Sequence, residues 1–126
     1  MLARRASLLV ALALALAALG ATSAHAVPAS GLRGLVTRSP IMPVCMEGVP
    51  CSAPAENTPL VFSRGGKFVR TRTDSAGRYR VVLTPGWWKV TTAGAPRIGS
   101  GITPRAVRVL GARFRVVNFD IDTGIR

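Results

Sequence analysis

Residues that most active sites require are scarce in this sequence. The single histidine, His25, falls in an N-terminal leader, so the rest of the chain has no imidazole for Ser-His or Cys-His catalysis or for a histidine-ligated zinc site. The five acidic residues are spread over loops, a turn and one strand, where nothing pairs two of them as an acid and a base. Asp120 and Asp122 lack the surrounding spacing of a calcium loop. The sequence therefore predicts no enzyme, no metal and no cofactor, with an unrecognised hydrolase as the enzymatic alternative.

The N-terminus is organised like a secretory signal peptide. Two arginines near the start precede an apolar run over 8–19, and a small-x-small cleavage motif follows at 24–26. Because the run is shorter than the roughly 18 residues that a spanning helix needs, an uncleaved anchor is the weaker alternative. We predict a signal-peptide helix over 1–26 that is removed, and a secreted domain over 27–126, outside the cell or in its envelope and without a transmembrane anchor.

Negative charge is much rarer than positive charge. Removal of the leader with its two arginines leaves 15 of the 17 basic residues against all 5 acids, a formal net charge of +10. Such a balance favours anionic partners, and export separates the chain from most nucleic acid. We therefore expect an anionic cell-envelope polymer, a lipid headgroup or an acidic protein as partner, and no nucleic acid. A coding bias towards arginine is the alternative explanation of the charge.

Only two cysteines are present, Cys45 and Cys51. In an exported chain such a pair predicts one disulfide, and their close spacing means that it closes a local loop. The surrounding segment, 39–59, contains five prolines, which exclude a central strand. We expect a long loop over 39–59 that the disulfide holds in place.

The remainder alternates short runs rich in Val, Thr, Phe and Trp with turns rich in Gly, Pro and Asp, which is typical of an all-β sandwich. Seven runs with spacings of roughly ten residues predict a seven-stranded Greek-key β-sandwich. The runs are 32–37, 60–63, 67–73, 78–83, 87–92, 106–110 and 113–122, with a loop over 93–104. Alternation predicts these inward side chains: Leu32, Gly34, Val36, Leu60, Phe62, Val69, Thr71, Tyr79, Val81, Leu83, Trp88, Val90, Val107 and Val109.

The last run breaks the alternation. Phe114 and Val116 share one parity, whereas Val117, Phe119 and Ile121 share the other. A strict period of two cannot place all five in the core. A bulge near 116–117 would bring both sets inside.

Several of these turns and core positions form a recognisable set. The motifs are Thr73-Asp74-x-x-Gly77-x-Tyr79, Leu83-x-Pro85-Gly86-x-Trp88-x-Val90 and Leu32-x-Gly34-x-Val36. They resemble the carboxypeptidase regulatory-like domain, and the resemblance extends from Gly31 to the C-terminus, whose residues 119–126 look like small exported bacterial members. It implies a prealbumin-like, carbohydrate-binding-like sandwich that serves as an accessory module for stability, presentation or binding.

One candidate site is a basic surface. Arg70 and Arg72 point away from the core on the third run, and Arg78 and Arg80 do so on the fourth. A tight turn joins these runs, so we expect all four guanidiniums on one outer face, where they form a fork-shaped donor set for phosphates and carboxylates that could retain the protein at the cell envelope. The alternative is an ordinary solvated face.

The other candidate is an aromatic side chain. Trp87 and Trp88 are adjacent on one run and must point to opposite faces. Because Trp88 matches the core position, Trp87 is expected outside, where its ring could stack on a sugar. A small carbohydrate-binding domain that uses Trp87 is therefore the alternative function, and a Trp87 that only covers an apolar patch is the alternative to that.

Overall fold

The computed structural model describes residues 28–92 and 101–126, which contain ten β-strands and no helix. Within this part of the chain nothing forms a helix long and apolar enough to cross a membrane. The predicted signal peptide, 1–26, and most of the loop predicted over 93–104 lie outside the described residues. The strands are β1 (Gly31–Ser39), β2 (Ala53–Pro54), β3 (Pro59–Arg64), β4 (Lys67–Arg72), β5 (Arg78–Val82), β6 (Gly86–Thr92), β7 (Ile102–Thr103), β8 (Ala106–Val109), β9 (Phe114–Val116) and β10 (Phe119–Asp122).

Two β-sheets enclose one hydrophobic core, so the fold is an all-β sandwich, as predicted. The four-stranded sheet has the order β4-β3-β6-β8 with antiparallel pairs throughout. The six-stranded sheet is built around β1, with β2, β10 and β7 at one end of that strand and β5 and β9 at the other.

Strand β1 changes partners halfway along its length. Residues 31–35 pair with β5 in antiparallel fashion, and 31–33 pair with β9 in parallel. Residues 36–39 pair with β10 in parallel, while Thr37 and Arg38 pair with β2. The outer surface of this sheet is therefore divided into two ends with different strands and different chemistry.

The alternating positions form the core as predicted, except at the edges. Eleven of the predicted inward side chains are at most 5% exposed: Leu32, Val36, Leu60, Phe62, Tyr79, Val81, Leu83, Trp88, Val90, Val107 and Val109. Val69 and Thr71 on the edge strand β4 are half-buried, and so is Gly34. Three rings meet at the centre, because Phe62 lies 6.3 Å from Tyr79 and 6.2 Å from Phe119 between ring centroids.

The last predicted run is two strands rather than one bulged strand. The chain leaves β9 after Val116 and enters β10 at Phe119, which moves it from one end of β1 to the other. Phe119 and Ile121 are buried, and Val117 packs against the core. The expectation that all five apolar residues point inward is wrong for Val116, which is 56% exposed, and for the half-buried Phe114 on the outer side.

The crossing from β9 to β10 passes directly over Gly34. The Val117 N–H donates to the Arg33 carbonyl at 2.9 Å, and the Leu35 N–H donates to Asn118 Oδ1 at 3.0 Å. The Tyr79 hydroxyl donates to the Val117 carbonyl at 2.6 Å. A side chain at position 34 would occupy the space that this segment uses, so glycine is required there by the close approach.

Two short strands raise the number above the seven predicted. β2 lies in the predicted loop over 39–59, and β7 lies in the predicted loop over 93–104. Each has two residues, too few to show a periodic pattern, although Ile102 of β7 is buried at 4% exposure. With β9 and β10 separate, the described residues therefore contain ten strands.

The loop between β1 and β2 is closed by a disulfide between Cys45 and Cys51, whose Cα atoms are 5.5 Å apart. This agrees with the predicted pairing. The Ile41 N–H donates to the Cys51 carbonyl at 3.0 Å, which fixes the base of the loop. Val44 and Met46 at its tip are 70% and 58% exposed, so the disulfide rather than apolar packing constrains this segment.

Candidate functional site

The turn after β4 decides where the candidate arginines lie. Asp74 Oδ1 accepts hydrogen bonds from the N–H groups of Ala76 and Arg78, both at 2.9 Å, and Gly77 adopts a φ of 79°. This is the Asp-Gly turn expected from the sequence. However, it joins two sheets: β4 pairs with β3, whereas β5 pairs with β1.

The expectation that four guanidiniums share one outer face is therefore wrong. Arg70 and Arg72 lie on the outer side of the four-stranded sheet, and Arg78 and Arg80 lie on the outer side of the six-stranded sheet. The hairpin assumption failed because a four-residue turn can reverse a chain within a sheet or carry it across the sandwich edge. Each pair remains a candidate, but the two pairs belong to different surfaces.

Three of the four candidate arginines lie close to one another at the edge of the sandwich between β4 and β5. Arg72, Arg78 and Arg80 line an open concavity of about 440 Å³, and the Thr71 hydroxyl donates to the Arg80 carbonyl at 3.1 Å across it. Asp74 also lines the concavity, but Asp120 on β10 does not.

Trp87 and Trp88 take the positions that alternation predicts. Trp88 is 3% exposed, and its Nε1–H donates to the Thr84 carbonyl at 2.9 Å. Trp87 is 64% exposed on the outer side of the four-stranded sheet. Trp88 is thus held by apolar packing and by a hydrogen bond. The ring of Trp87 is accessible to a ligand on the outer surface.

Sequence analysis missed a second exposed aromatic residue on the same side. Phe68 is 66% exposed and pairs with Ser63, which in turn pairs with Lys89 two positions after Trp87. The signal was available, because placing Val69 and Thr71 inward requires that Phe68 point outward. From strand spacing, the Cα atoms of Phe68 and Trp87 are roughly 12 Å apart.

Cations surround these two rings. Trp87 pairs with Arg108 on β8, and Arg70 pairs with Val61 on β3, all with outward side chains. None of the five acids lies on these strands, because each is in a loop, in the turn or on β10. We call this outer surface of the four-stranded sheet the aromatic face; its members are Phe68, Arg70, Arg72, Trp87, Lys89 and Arg108.

The acids on β10 have structural partners instead. Asp120 accepts hydrogen bonds from the hydroxyls of Thr37 and Ser39, each at 2.9 Å, and Asp122 forms a salt bridge of 3.1 Å with Arg126. Among the described residues, no group of three His, Cys, Asp or Glu side chains could hold a metal ion.

Tyr79 is a titratable core side chain whose pKa is strongly shifted. Burial raises the pKa of Tyr79 well above its ordinary value, because the phenolate would lose hydration. The hydroxyl also donates to the Val117 carbonyl, which only the neutral form can do. The folded state therefore keeps its proton at a pH where the unfolded chain releases it.

We expect this to appear as a loss of stability at high pH. Below the ordinary tyrosine pKa of about 10 both states are protonated and Tyr79 has no effect; above it the free energy of unfolding falls by up to about 1.4 kcal/mol per pH unit. Because the chain has one tyrosine, phenolate absorbance reports this group directly. Phenolate should form together with unfolding, and Tyr79→Phe should lose this slope; ionisation near pH 10 in folded protein would contradict the burial argument.

Comparisons with known proteins show a structural likeness but no related sequence. No protein family and no curated protein matches the sequence. A solved structure of a DUF3823 family protein from Parabacteroides merdae is similar over 76% of this chain, with 19% sequence identity and a TM-score of 0.43. This chain covers 47% of that protein's length, less than half of it.

Proposed function

We propose that this chain is a secreted, non-catalytic interaction module that binds an anionic carbohydrate polymer of the cell envelope through the aromatic face. The observation that carries the proposal is that Trp87 and Phe68 lie exposed among basic side chains on one surface. This combines the two functions suggested by the sequence, envelope retention by basic residues and sugar stacking on Trp87.

The rings supply the apolar contribution. An exposed aromatic ring on a β-sheet face can lie against the C–H face of a sugar ring with little loss of conformational entropy, since Trp and Phe have two side-chain torsions. Two such rings roughly 12 Å apart suit an extended polymer better than a single monosaccharide.

The cations supply the selectivity for negative charge. Arg70, Lys89 and Arg108 are exposed and project from three different strands of the aromatic face. Carboxylates or phosphates along a polymer can form charge-assisted hydrogen bonds with them, and Arg does so as a two-pronged donor. With no acid on these strands, nothing on the face repels such a ligand.

The resemblance to the carboxypeptidase regulatory-like domain supports an accessory role, since that family forms modules attached to many unrelated proteins. The predicted signal peptide and the Cys45–Cys51 disulfide support export to an oxidising compartment. The scarcity of histidine and acid supports a role without catalysis.

The proposal is tested by affinity electrophoresis of the purified exported protein in gels that contain polygalacturonate or its neutral methyl ester. We expect retardation by polygalacturonate, and at least about a tenfold weaker interaction, about 1.4 kcal/mol, after Trp87→Ala. Arg70→Gln should also weaken binding, and added salt should reduce it because exposed charges are screened.

The matched control is Arg78→Gln, which removes the same charge from the other sheet and should leave retardation unchanged. Equal losses of retardation for Arg70→Gln and Arg78→Gln would mean that binding depends on the net charge of the protein and not on the aromatic face, which would overturn the site. No retardation in either gel would overturn the ligand class, and full retardation of Trp87→Ala would overturn the stacking. Hydrolysis of ester or glycoside reporters by the purified protein would overturn the assignment as non-catalytic.

A further inference from the structure

The outer side of the six-stranded sheet carries a second surface of different composition. It lies at the end of the sheet formed by β5, the first half of β1, and β9. Pairing places Arg33 opposite Arg80 and Leu35 opposite Arg78, and it places Val116 beside Arg33 on the other side of β1. We call this surface the basic–apolar face; its members are Arg33, Leu35, Arg78, Arg80, Val82, Phe114 and Val116.

Three aliphatic side chains on this surface are exposed to solvent. Leu35 is 44% exposed, Val82 is 62% exposed and Val116 is 56% exposed. Each lies one step, roughly 5–7 Å, from a member of the Arg33–Arg80 pair, either across to the next strand or two residues along the same strand. Solvent-facing positions of a sheet that is covered on one side only are usually polar, so three aliphatic neighbours around two arginines call for a partner.

One of the arginines is held in place by an aromatic ring. The Arg80 guanidinium carbon is 4.0 Å from the centroid of the Phe114 ring. That ring covers the position where Gly31 has no side chain, since a Cβ there would be 2.7 Å from Phe114 Cε1. The stack of glycine, ring and guanidinium orients Arg80 on the surface before any ligand is bound.

Among residues 28–92 and 101–126, no carboxylate forms an ion pair with the arginines of the basic–apolar face, which are Arg33, Arg78 and Arg80. Asp74, the acid nearest to Arg78 and Arg80 along the chain, uses one oxygen for two backbone N–H groups. Arg33 and Arg80 are directly opposite and repel each other, a cost that an anion between them would remove.

We infer that this face binds an anionic phospholipid surface. A bilayer presents negative headgroups above an apolar layer, which matches guanidiniums surrounded by exposed aliphatic side chains on one face. Leu35, Val82 and Val116 would enter the boundary between headgroups and acyl chains while the arginines hold lipid phosphates. A second copy of the chain fits poorly, because a symmetric contact would bring the Arg33–Arg80 pair against itself.

This inference does not depend on the polymer proposed for the aromatic face, since the two surfaces lie on different sheets and share no residue. They meet at the edge between β4 and β5, where Arg72 lines one concavity with Arg78 and Arg80, but Arg33, Arg70 and Arg108 do not line it. It is tested by co-sedimentation of the purified exported protein with vesicles of phosphatidylcholine, with and without phosphatidylglycerol. We expect binding only with the anionic lipid, and about 30-fold weaker binding for Arg33→Gln/Arg80→Gln. Val82→Ser/Val116→Ser should weaken binding severalfold while its salt dependence stays unchanged.

The matched control is Arg70→Gln/Arg108→Gln, which removes the same charge from the aromatic face and should leave vesicle binding within about threefold of wild type. Because Arg80 contacts Phe114, Arg33→Gln alone is the second variant. Arg33 stacks on no ring of the described strands and loops, and its loss should still weaken binding. Equal losses from the two double variants, or no binding to anionic vesicles, would overturn the inference. Binding to poly-aspartate with the same Arg33 dependence but not to vesicles would assign the face to an acidic protein and also overturn it.

Discussion

Gly34→Ala is expected to lower the free energy of unfolding by about 3 kcal/mol or more. An added Cβ would lie 2.8 Å from Asn118 Oδ1 and 2.9 Å from the Val117 carbonyl carbon, and closer still to the Val117 carbonyl oxygen. These atoms belong to the segment that crosses from β9 to β10, so relief requires the backbone to move. That movement would break hydrogen bonds that fix the crossing, including the one from the Tyr79 hydroxyl.

The measurement is thermal and denaturant unfolding of the purified variant. At about 4 °C or more per kcal/mol for a domain of this size, the midpoint temperature should fall by roughly 12 °C or more. Gly111→Ala is the matched control, because its nearest neighbour would be Pro85 Cγ at 3.8 Å, an ordinary contact. If both substitutions change stability by the same small amount, the chain does not pass over Gly34 as described.

Phe62→Ala is expected to cost about 3–5 kcal/mol. Phe62 is fully buried between the sheets and its ring contacts both Tyr79 and Phe119, so truncation removes apolar burial and two ring contacts and leaves a cavity. The surrounding side chains come from both sheets, which limits how far they can collapse into the space.

Phe68→Ala provides the control on the neighbouring strand. Phe68 is 66% exposed, so the same truncation should change the free energy of unfolding by no more than about 0.5 kcal/mol. The two variants can be compared directly by denaturant unfolding, fitted with one common dependence of the free energy of unfolding on denaturant concentration. A large loss of stability for Phe68→Ala, or a negligible loss for Phe62→Ala, would contradict this assignment. It would mean that the core-facing and solvent-facing sides of β3 and β4 are exchanged.

The parity of most of the longer strands could be predicted from the sequence because it is a local property, whereas that of β9 could not. Tyr79, Trp88 and Val90 are buried as alternation indicates, and Asp74 and Gly77 form the expected turn. Burial of one face of a sheet leaves a signal in the spacing of apolar residues that needs no knowledge of the partner strand. Most of the core could be identified in this way.

The assignment of strands to sheets could not be predicted, because it depends on long-range pairing. The turn at Asp74 is compatible with a hairpin and with a crossing between sheets, and only the pairing of β5 with β1 distinguishes them. For this reason Arg78 and Arg80 were grouped with Arg70, whereas their neighbours are Arg33 and Leu35. The crossing over Gly34 was missed for the same reason: it depends on a contact with Val117, far along the chain.

The position of β1 also governs when the domain can fold. This first strand pairs with β9 and β10 at the other end of the chain, for example Arg33 with Val116. Its central ladder cannot close until the C-terminal residues have been synthesised, and pairing between such distant segments makes folding slow. A nascent chain that has not yet reached β9 and β10 therefore cannot complete the six-stranded sheet, so the finished sandwich forms only after synthesis of both strands.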